Sequence, residues 1–275
     1  MSCSATTWQS TAGIRVPEIK AHSVLGLLRF SGCGPKPGAG QMIRAILFDF
    51  GQTLVDSSDG FRQAEKDAQA AIFQNLAITD HDAFKNLYRR IRSELHKKGD
   101  LSRVNVWREV FGYYCREPSV DGLRQWEQTY WRTVQSKTRV FPEVHRVLMA
   151  LGAKYGPLGL VTNTQVQSDA STHRISAYPE LAARFAVTVV AGENGVPTKP
   201  DAQPFAVCLG QLGVAAEEAV YVGDDWRIDV CGARDAGLHP VWLKHHTVKR
   251  NYPEVDADIP VITSLNELPP VLETL

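Results

Sequence analysis

The sequence predicts an α/β protein: a doubly wound parallel sheet with an all-helical cap domain inserted after its first strand. Two observations predict it. Short apolar runs alternate with helix-length segments along most of the chain, the pattern of strands joined by helical crossovers. Between residues 61 and 135 that alternation stops and a period near 3.6 residues replaces it.

Each element follows in order. Residues 43–48 (IRAILF) read as a short buried strand. Phe61, Ala64, Ala68, Ile72 and Leu76 then line one helix, and Phe84, Leu87, Tyr88, Ile91 and Leu95 a second. Trp107, Val110, Phe111 and Tyr114 line a third, and Leu123, Trp126, Tyr130 and Val134 a fourth. Gly99–Asp100 and Pro118–Ser119 supply breaks between them. Trp107, Trp126, Tyr130 and Trp131 are large enough to make this insert's own core. After Phe141–Pro142 the alternation returns, with a helix over 143–153, strands at 158–161 (LGLV) and 186–190, and a helix over 204–212. A strand at 219–222 (AVYV), a helix over 229–236 closed by Gly237 as its C-cap, and a strand at 241–243 complete the series. Residues 42–58 and 137–275 are therefore expected to form the core, and 59–136 the helical cap. No internal repeat is present.

Residues 1–41 stand apart. They are rich in Ser, Thr and Gly, and Glu18 is their only acid. The one apolar stretch, residues 24–28, is too short for a signal-peptide core. The scarcity of acids is shared with organellar transit peptides, but Arg is sparse; Met42, directly before the first strand, is an alternative start. The expectation is a disordered extension that adds little to folding.

Composition narrows the function classes. Thirty Lys and Arg balance thirty Asp and Glu, so nothing electrostatic points to a nucleic acid or an anionic membrane as partner. The longest apolar runs fall far short of the roughly 20 residues that span a bilayer. Five scattered cysteines, with no closely spaced pair, fit neither a disulfide framework nor a zinc site. Free thiols in a reducing compartment, the cytoplasm, are expected, with Cys208 and Cys231 as small core residues.

The polar residues that follow the strands carry the chemistry, because ligands of an open parallel sheet bind at the carboxyl ends of its strands. Asp49 directly follows the first strand in FDFGQTLVD, where Gly51 and Thr53 let the backbone turn sharply. Thr162 ends the strand VTNT, Lys199 lies in the loop PTKPD, and Asp224, Asp225 and Asp229 follow AVYV as GDDWRID. Taken singly, each reads as a turn, cap or surface residue. Together they place a carboxylate nucleophile, a hydroxyl, an ammonium and an acidic cluster suited to Mg2+ at one crevice, the set that phosphoryl transfer requires.

These four motifs, in this order and with a helical insert between the first two, resemble the haloacid dehalogenase-like hydrolase superfamily over about residues 42–272. The resemblance implies a Rossmann-like core and a Mg2+-dependent phosphatase for a small phosphorylated metabolite. Asp49 would be the nucleophile that forms an aspartyl-phosphate, Thr162 would hold a phosphoryl oxygen, and Lys199 would steady nucleophile and phosphate. Asp49, the backbone carbonyl of Gly51, and Asp224 would hold the metal, with Asp229 as support or a further ligand; Thr53 and Asn163 would contact substrate.

One position departs from the pattern. The family's phosphatases carry a second aspartate two residues after the nucleophile, an acid/base worth about 10²–10⁴-fold; here it is Gly51. The protein is then a slow phosphatase, one for good leaving groups, one using another acid such as Asp56 or Asp59, or a binding protein on a retired scaffold. Asp56 and Asp59 also read as turn and cap residues. The dehalogenase branch also lacks this aspartate, and Asn163 is similar to that branch, but it does not keep the acidic cluster present here. A phosphonate-cleaving enzyme lacks the acid too, but Lys66 and Lys85 read as surface charges rather than Schiff-base lysines. Arg62, Arg89, Arg90 and Arg92 of the insert are either contacts for a second anionic group or a solvated face.

Overall fold

The computed structural model describes residues 42–164, 173–249, 251–254 and 258–275; the extension expected over residues 1–41 lies outside them. Strand β1 (Ala45–Phe48) opens the chain's order and is followed by β2 (Val55–Asp56). Four helices come next: α1 (Ser58–Leu76), α2 (His81–Lys97), α3 (Arg103–Tyr113) and α4 (Val120–Lys137). The order continues with β3 (Arg139–Val140), α5 (Val144–Tyr155), β4 (Leu158–Asn163), α6 (Pro179–Ala182), β5 (Val187–Ala191) and α7 (Gln203–Leu212). It ends with β6 (Ala219–Gly223), α8 (Gly232–Asp235), β7 (His239–Leu243), β8 (Val261–Ile262) and α9 (Leu268–Leu272).

Six strands form one sheet in the order β5-β4-β1-β6-β7-β8, and every neighbouring pair in it is parallel. A parallel sheet covered on both faces needs strands that are apolar throughout, and all four residues of β1 are buried. Ile46 and Phe48 pack with Val147, Leu148 and Leu151 of α5 on one face. Ala45 and Leu47 pack with Phe205, Cys208 and Leu209 of α7 on the other. The chain leaves β1 for β4 and β5 on one side and for β6 to β8 on the other. The carboxyl end of β1 is therefore the switch point where such sheets bind ligands.

The four helices of the insert close on a separate apolar cluster that includes Ile72, Phe84, Trp107, Tyr130 and Val134. Polar side chains start three of these helices: Asp80, Ser102 and Ser119 each accept a hydrogen bond from the backbone amide three residues on. The strands β2 and β3 pair antiparallel, Val55 opposite Val140, and so bring the entry and exit of the insert together.

Several elements were not expected. Strands β2, β3 and β8 have two residues each, too few for a period to show. The helix expected over 229–236 begins earlier, as a π-helical turn at Trp226–Cys231 in which the Val230 amide bonds the Asp225 carbonyl at 3.2 Å, while the Asp225 side chain caps the start by accepting from the amides of Arg227 and Ile228 at 3.0 and 2.9 Å. Gly237 follows it with φ +85°. Cys208 is fully buried, whereas Cys231 is only partly so, lying on that turn rather than in the core. Among the described residues no helix is long and apolar enough to cross a membrane.

Candidate active site

Loops at the carboxyl ends of β1, β4, β5 and β6 meet in a crevice of about 220 Å³ lined by Asp49, Gly51, Thr162, Asn163, Lys199, Asp224, Asp225 and Asp229. Gln52, Arg174 and Ile228 also line it, and Phe61 and Leu101 of the insert cover it.

Lys199 is its electrostatic centre. The ammonium is fully enclosed and lies 2.8 Å from Asp49 Oδ1 and 2.7 Å from Asp229 Oδ1. The carbonyl of Val161 and the Tyr221 hydroxyl, at 2.9 and 2.7 Å, complete its surroundings. Three N–H bonds cannot serve four acceptors at once. The Tyr221 hydroxyl relieves this by donating to Val161 O at 2.9 Å. Burial disfavours the Lys199 charge, but the carboxylates of Asp229 and Asp49 outweigh burial and hold its pKa above the usual value.

Asp229 is placed by a close approach. A Cβ on Gly223 would stand 2.4 Å from the Asp229 Cβ, so only glycine at the end of β6 lets that side chain fold in. Its Oδ2 accepts from the Asp225 amide at 3.0 Å. Burial, with the neighbouring Asp49 charge, pushes the Asp229 pKa up, against the pull of Lys199. Asp49, Asp224 and Asp229 are all buried, and one ligand atom from each lies within 4.8 Å of the others. Such a set of hard oxygen donors fits Mg2+ in chemistry and in spacing.

Among the expected site residues, Asp49, Gly51, Thr162, Asn163, Lys199, Asp224 and Asp229 come together in this crevice. Asn163 was expected on the substrate. Its Oδ1 instead accepts from the Lys199 amide at 2.8 Å and its Nδ2 donates to the Lys199 carbonyl at 3.2 Å, so its amide pins the lysine loop. Thr53 does not line the crevice; it is wholly buried and its Oγ1 has no hydrogen-bond partner among the described residues. Asp56 accepts from the Ser58 amide at 2.8 Å, and exposed Asp59 pairs with Arg62 at 2.7 Å. Neither acid lines the crevice. Arg92 pairs with Glu65 at 3.1 Å, and Arg89 and Arg90 are exposed. Lys66 is exposed as expected, while Lys85 is partly buried.

Two site residues carried no recognisable signal. Tyr221 reads as an ordinary strand residue, although its place three residues before Asp224 puts its hydroxyl at the strand end. Arg174 opens a single 3-10 turn, Arg174–Ala177, in a loop without a motif. It is 6% exposed, and its pKa is lowered to about 10 by burial, against the opposing effects of Tyr178, Asp49 and Tyr130.

A family model described as haloacid dehalogenase-like hydrolase matches residues 43–237. The phosphoglycolate phosphatase of Yersinia pseudotuberculosis is 30% identical over 223 residues, covering 78% of this chain and 85% of that protein. A solved HAD phosphatase from Thermococcus onnurineus superposes with a TM-score of 0.62 at 23% identity, over 83% of this chain and 97% of that one. A solved 2-haloacid dehalogenase from Pseudomonas syringae pv. tomato superposes with a TM-score of 0.59 at 27% identity, over 85% and 99%.

Proposed function

Since the chain belongs to the haloacid dehalogenase-like hydrolase family and is a phosphatase-type hydrolase, we propose that it is a Mg2+-dependent phosphatase of small phosphate esters working through an aspartyl-phosphate at Asp49. The observation that carries this reading is the Lys199 ammonium bridging Asp49 and Asp229, with the Asp224 carboxylate gathered at the same point. A crevice of about 220 Å³ suits a phosphate with a few further atoms, below the usual size of drug-like sites.

Asp49 Oδ1 is held by Lys199, and Oδ2 has no hydrogen-bond partner among the described residues. Oδ2 is therefore the atom that attacks phosphorus. The ester P–O bond breaks with its electrons passing to the leaving oxygen, and water then releases phosphate from Asp49. Thr162 holds a phosphoryl oxygen. Lys199 offsets the charge that gathers on the phosphoryl group and is itself kept in place by Tyr221 and by the Asn163 amide. Asp49, Asp224 and the Gly51 carbonyl would hold Mg2+, with Asp229 behind them; when bound, the ion supplies Lewis-acid charge compensation. No acid stands at Gly51 to protonate the leaving oxygen, so good leaving groups are favoured.

A panel of phosphomonoesters assayed with and without Mg2+, using wild type and Asp49→Asn, tests the reading. Mg2+-dependent turnover of p-nitrophenyl phosphate that vanishes in Asp49→Asn is expected. Equal turnover by both proteins removes the nucleophile assignment. Gly51, which supplies no acid, favours one second reading, a metal-free dehalogenase. Chloride release from 2-chloropropionate without Mg2+, alongside no phosphatase activity, would select it.

A further inference from the structure

We propose that Arg174 determines specificity by taking a carboxylate on the leaving side of the scissile P–O bond; the inference rests on the phosphatase reading above. Arg174 is buried where it lines the crevice beside Asp49 and Gly51. Its surroundings are poor in acceptors. Nη1 donates to Ser57 Oγ at 3.1 Å, and among the described residues the buried Nε has no partner and no carboxylate forms an ion pair with the guanidinium. Two aromatic faces flank the guanidinium instead, Phe50 at 5.3 Å and Phe61 at 5.2 Å from their ring centroids. A desolvated charge held mainly by rings and one hydroxyl is costly unless an anion completes it.

Its location selects the anion. Nη2 lies 3.8 Å from where a Cβ on Gly51 would stand, on the loop that carries Asp49. Lys199, Thr162 and the acidic cluster account for the phosphoryl end of the crevice, which leaves Arg174 facing the departing group. A planar guanidinium fork matches a carboxylate in two parallel hydrogen bonds.

Two sources share that chemistry. The carboxylate is either a substituent beside the ester oxygen, as in 2-phosphoglycolate, or the leaving group itself, as in acetyl phosphate. In both cases the phosphoryl group passes to Asp49 and the P–O electrons pass to the leaving oxygen. A carboxylate leaves without a proton, whereas the glycolate oxygen takes one from water.

The test compares wild type, Arg174→Gln and Arg174→Lys on 2-phosphoglycolate, acetyl phosphate and p-nitrophenyl phosphate, with thermal melts as the folding control. Arg174→Gln should lower kcat/KM by about 30-fold on at least one carboxylate probe, as expected for losing charge-assisted hydrogen bonds. On p-nitrophenyl phosphate it should change by less than about threefold. Whichever carboxylate probe falls identifies the source. Arg174→Lys keeps the charge and loses the fork; it should show a smaller selective loss and covers the case in which the glutamine variant does not fold. Equal changes on all three probes overturn the proposal. Should wild type hydrolyse none of them, the phosphatase reading fails, and calorimetry on the same proteins decides Arg174 separately. Selective loss of 2-phosphoglycolate binding relative to inorganic phosphate in the variants supports it, and unchanged binding overturns it.

Discussion

The Nη2 atom of Arg174 stands 3.8 Å from the position that a Cβ on Gly51 would occupy. The site therefore places a cation next to the position where related phosphatases carry an acid. Gly51 is not among the residues with positive φ, so an aspartate is compatible with its backbone. A carboxylate there would meet the guanidinium, and such pairing favours its charged form, making it a poor proton donor. Gly51→Asp alone should raise turnover of ethyl phosphate by less than about tenfold, while Gly51→Asp with Arg174→Gln should reach about 10²-fold. Turnover of p-nitrophenyl phosphate, which needs little protonation, should gain less in both. A full gain from the single substitution would show that Arg174 does not restrain that carboxylate.

Mg2+ should stabilise the folded protein. Carboxylates of Asp49, Asp224 and Asp229 gathered within 4.8 Å repel one another, and a divalent cation relieves this. Binding confined to the native state adds about 2.7 kcal/mol at a hundred times Kd, which for a chain of this size moves Tm by roughly 5–10 °C. Thermal melts with and without millimolar Mg2+ measure the shift, and Asp224→Asn should largely remove it. A midpoint that Mg2+ leaves in place would favour the metal-free reading.

The sheet core was legible where a parallel strand is a continuous apolar run followed by a polar residue at the crevice, as AILF with Asp49 close behind it and AVYV before Gly223 and Asp224 show. The helical insert was legible from spacing alone, since Ala64, Ala68, Ile72 and Leu76 recur every four residues and are all buried on α1. The site was legible where a motif fixes a residue to a strand end, as for Asp49, Thr162, Lys199 and Asp224. It was not legible at Arg174, whose hydrogen bond to Ser57 spans 117 residues of sequence. Nor could spacing reveal that the Asn163 amide is taken up by the Lys199 peptide, because that contact spans 36 residues. Long-range polar contacts leave no periodic trace.

Lys199 should matter to folding as well as to turnover. Lys199→Met leaves Asp49 and Asp229 buried without the ammonium they share, and breaking a buried pair costs about 3–5 kcal/mol. The Asp229 pKa, already raised by burial, rises further in the variant. Its folded state then binds a proton more readily than its unfolded state, so lowering the pH offsets part of the loss. The gap between wild type and variant in urea melts should narrow between pH 7.5 and 5.5. Tyr221→Phe keeps both ion pairs and should cost only about 1 kcal/mol. A Lys199→Met gap that is constant with pH would mean that the stranded carboxylates are not its cause.

His173 should make the protein acid-sensitive. Its Nδ1 accepts from the Ile175 amide at 3.2 Å, its ring meets Phe50 edge-on at 5.2 Å, and its Nε2 is buried without a partner among the described residues. Burial, then the charges of Arg174 and Lys199, lower its pKa from 6.5 to about 3. Below pH 6.5 the unfolded chain takes up a proton there that the folded chain does not, so stability falls with pH until the folded group also titrates near pH 3. At 1.36 kcal/mol per pH unit, the loss from this residue by pH 5 is roughly 2 kcal/mol. His173→Asn keeps a side-chain acceptor for the Ile175 amide and removes the titration. Urea unfolding of both proteins at pH 7.5 and pH 5 should show wild type losing about 2 kcal/mol more than the variant. His96 and His245, whose pKa values burial also lowers, titrate in both proteins and cancel in this difference. Equal losses in the two proteins would mean that His173 accepts its proton in the folded state as readily as in the unfolded one.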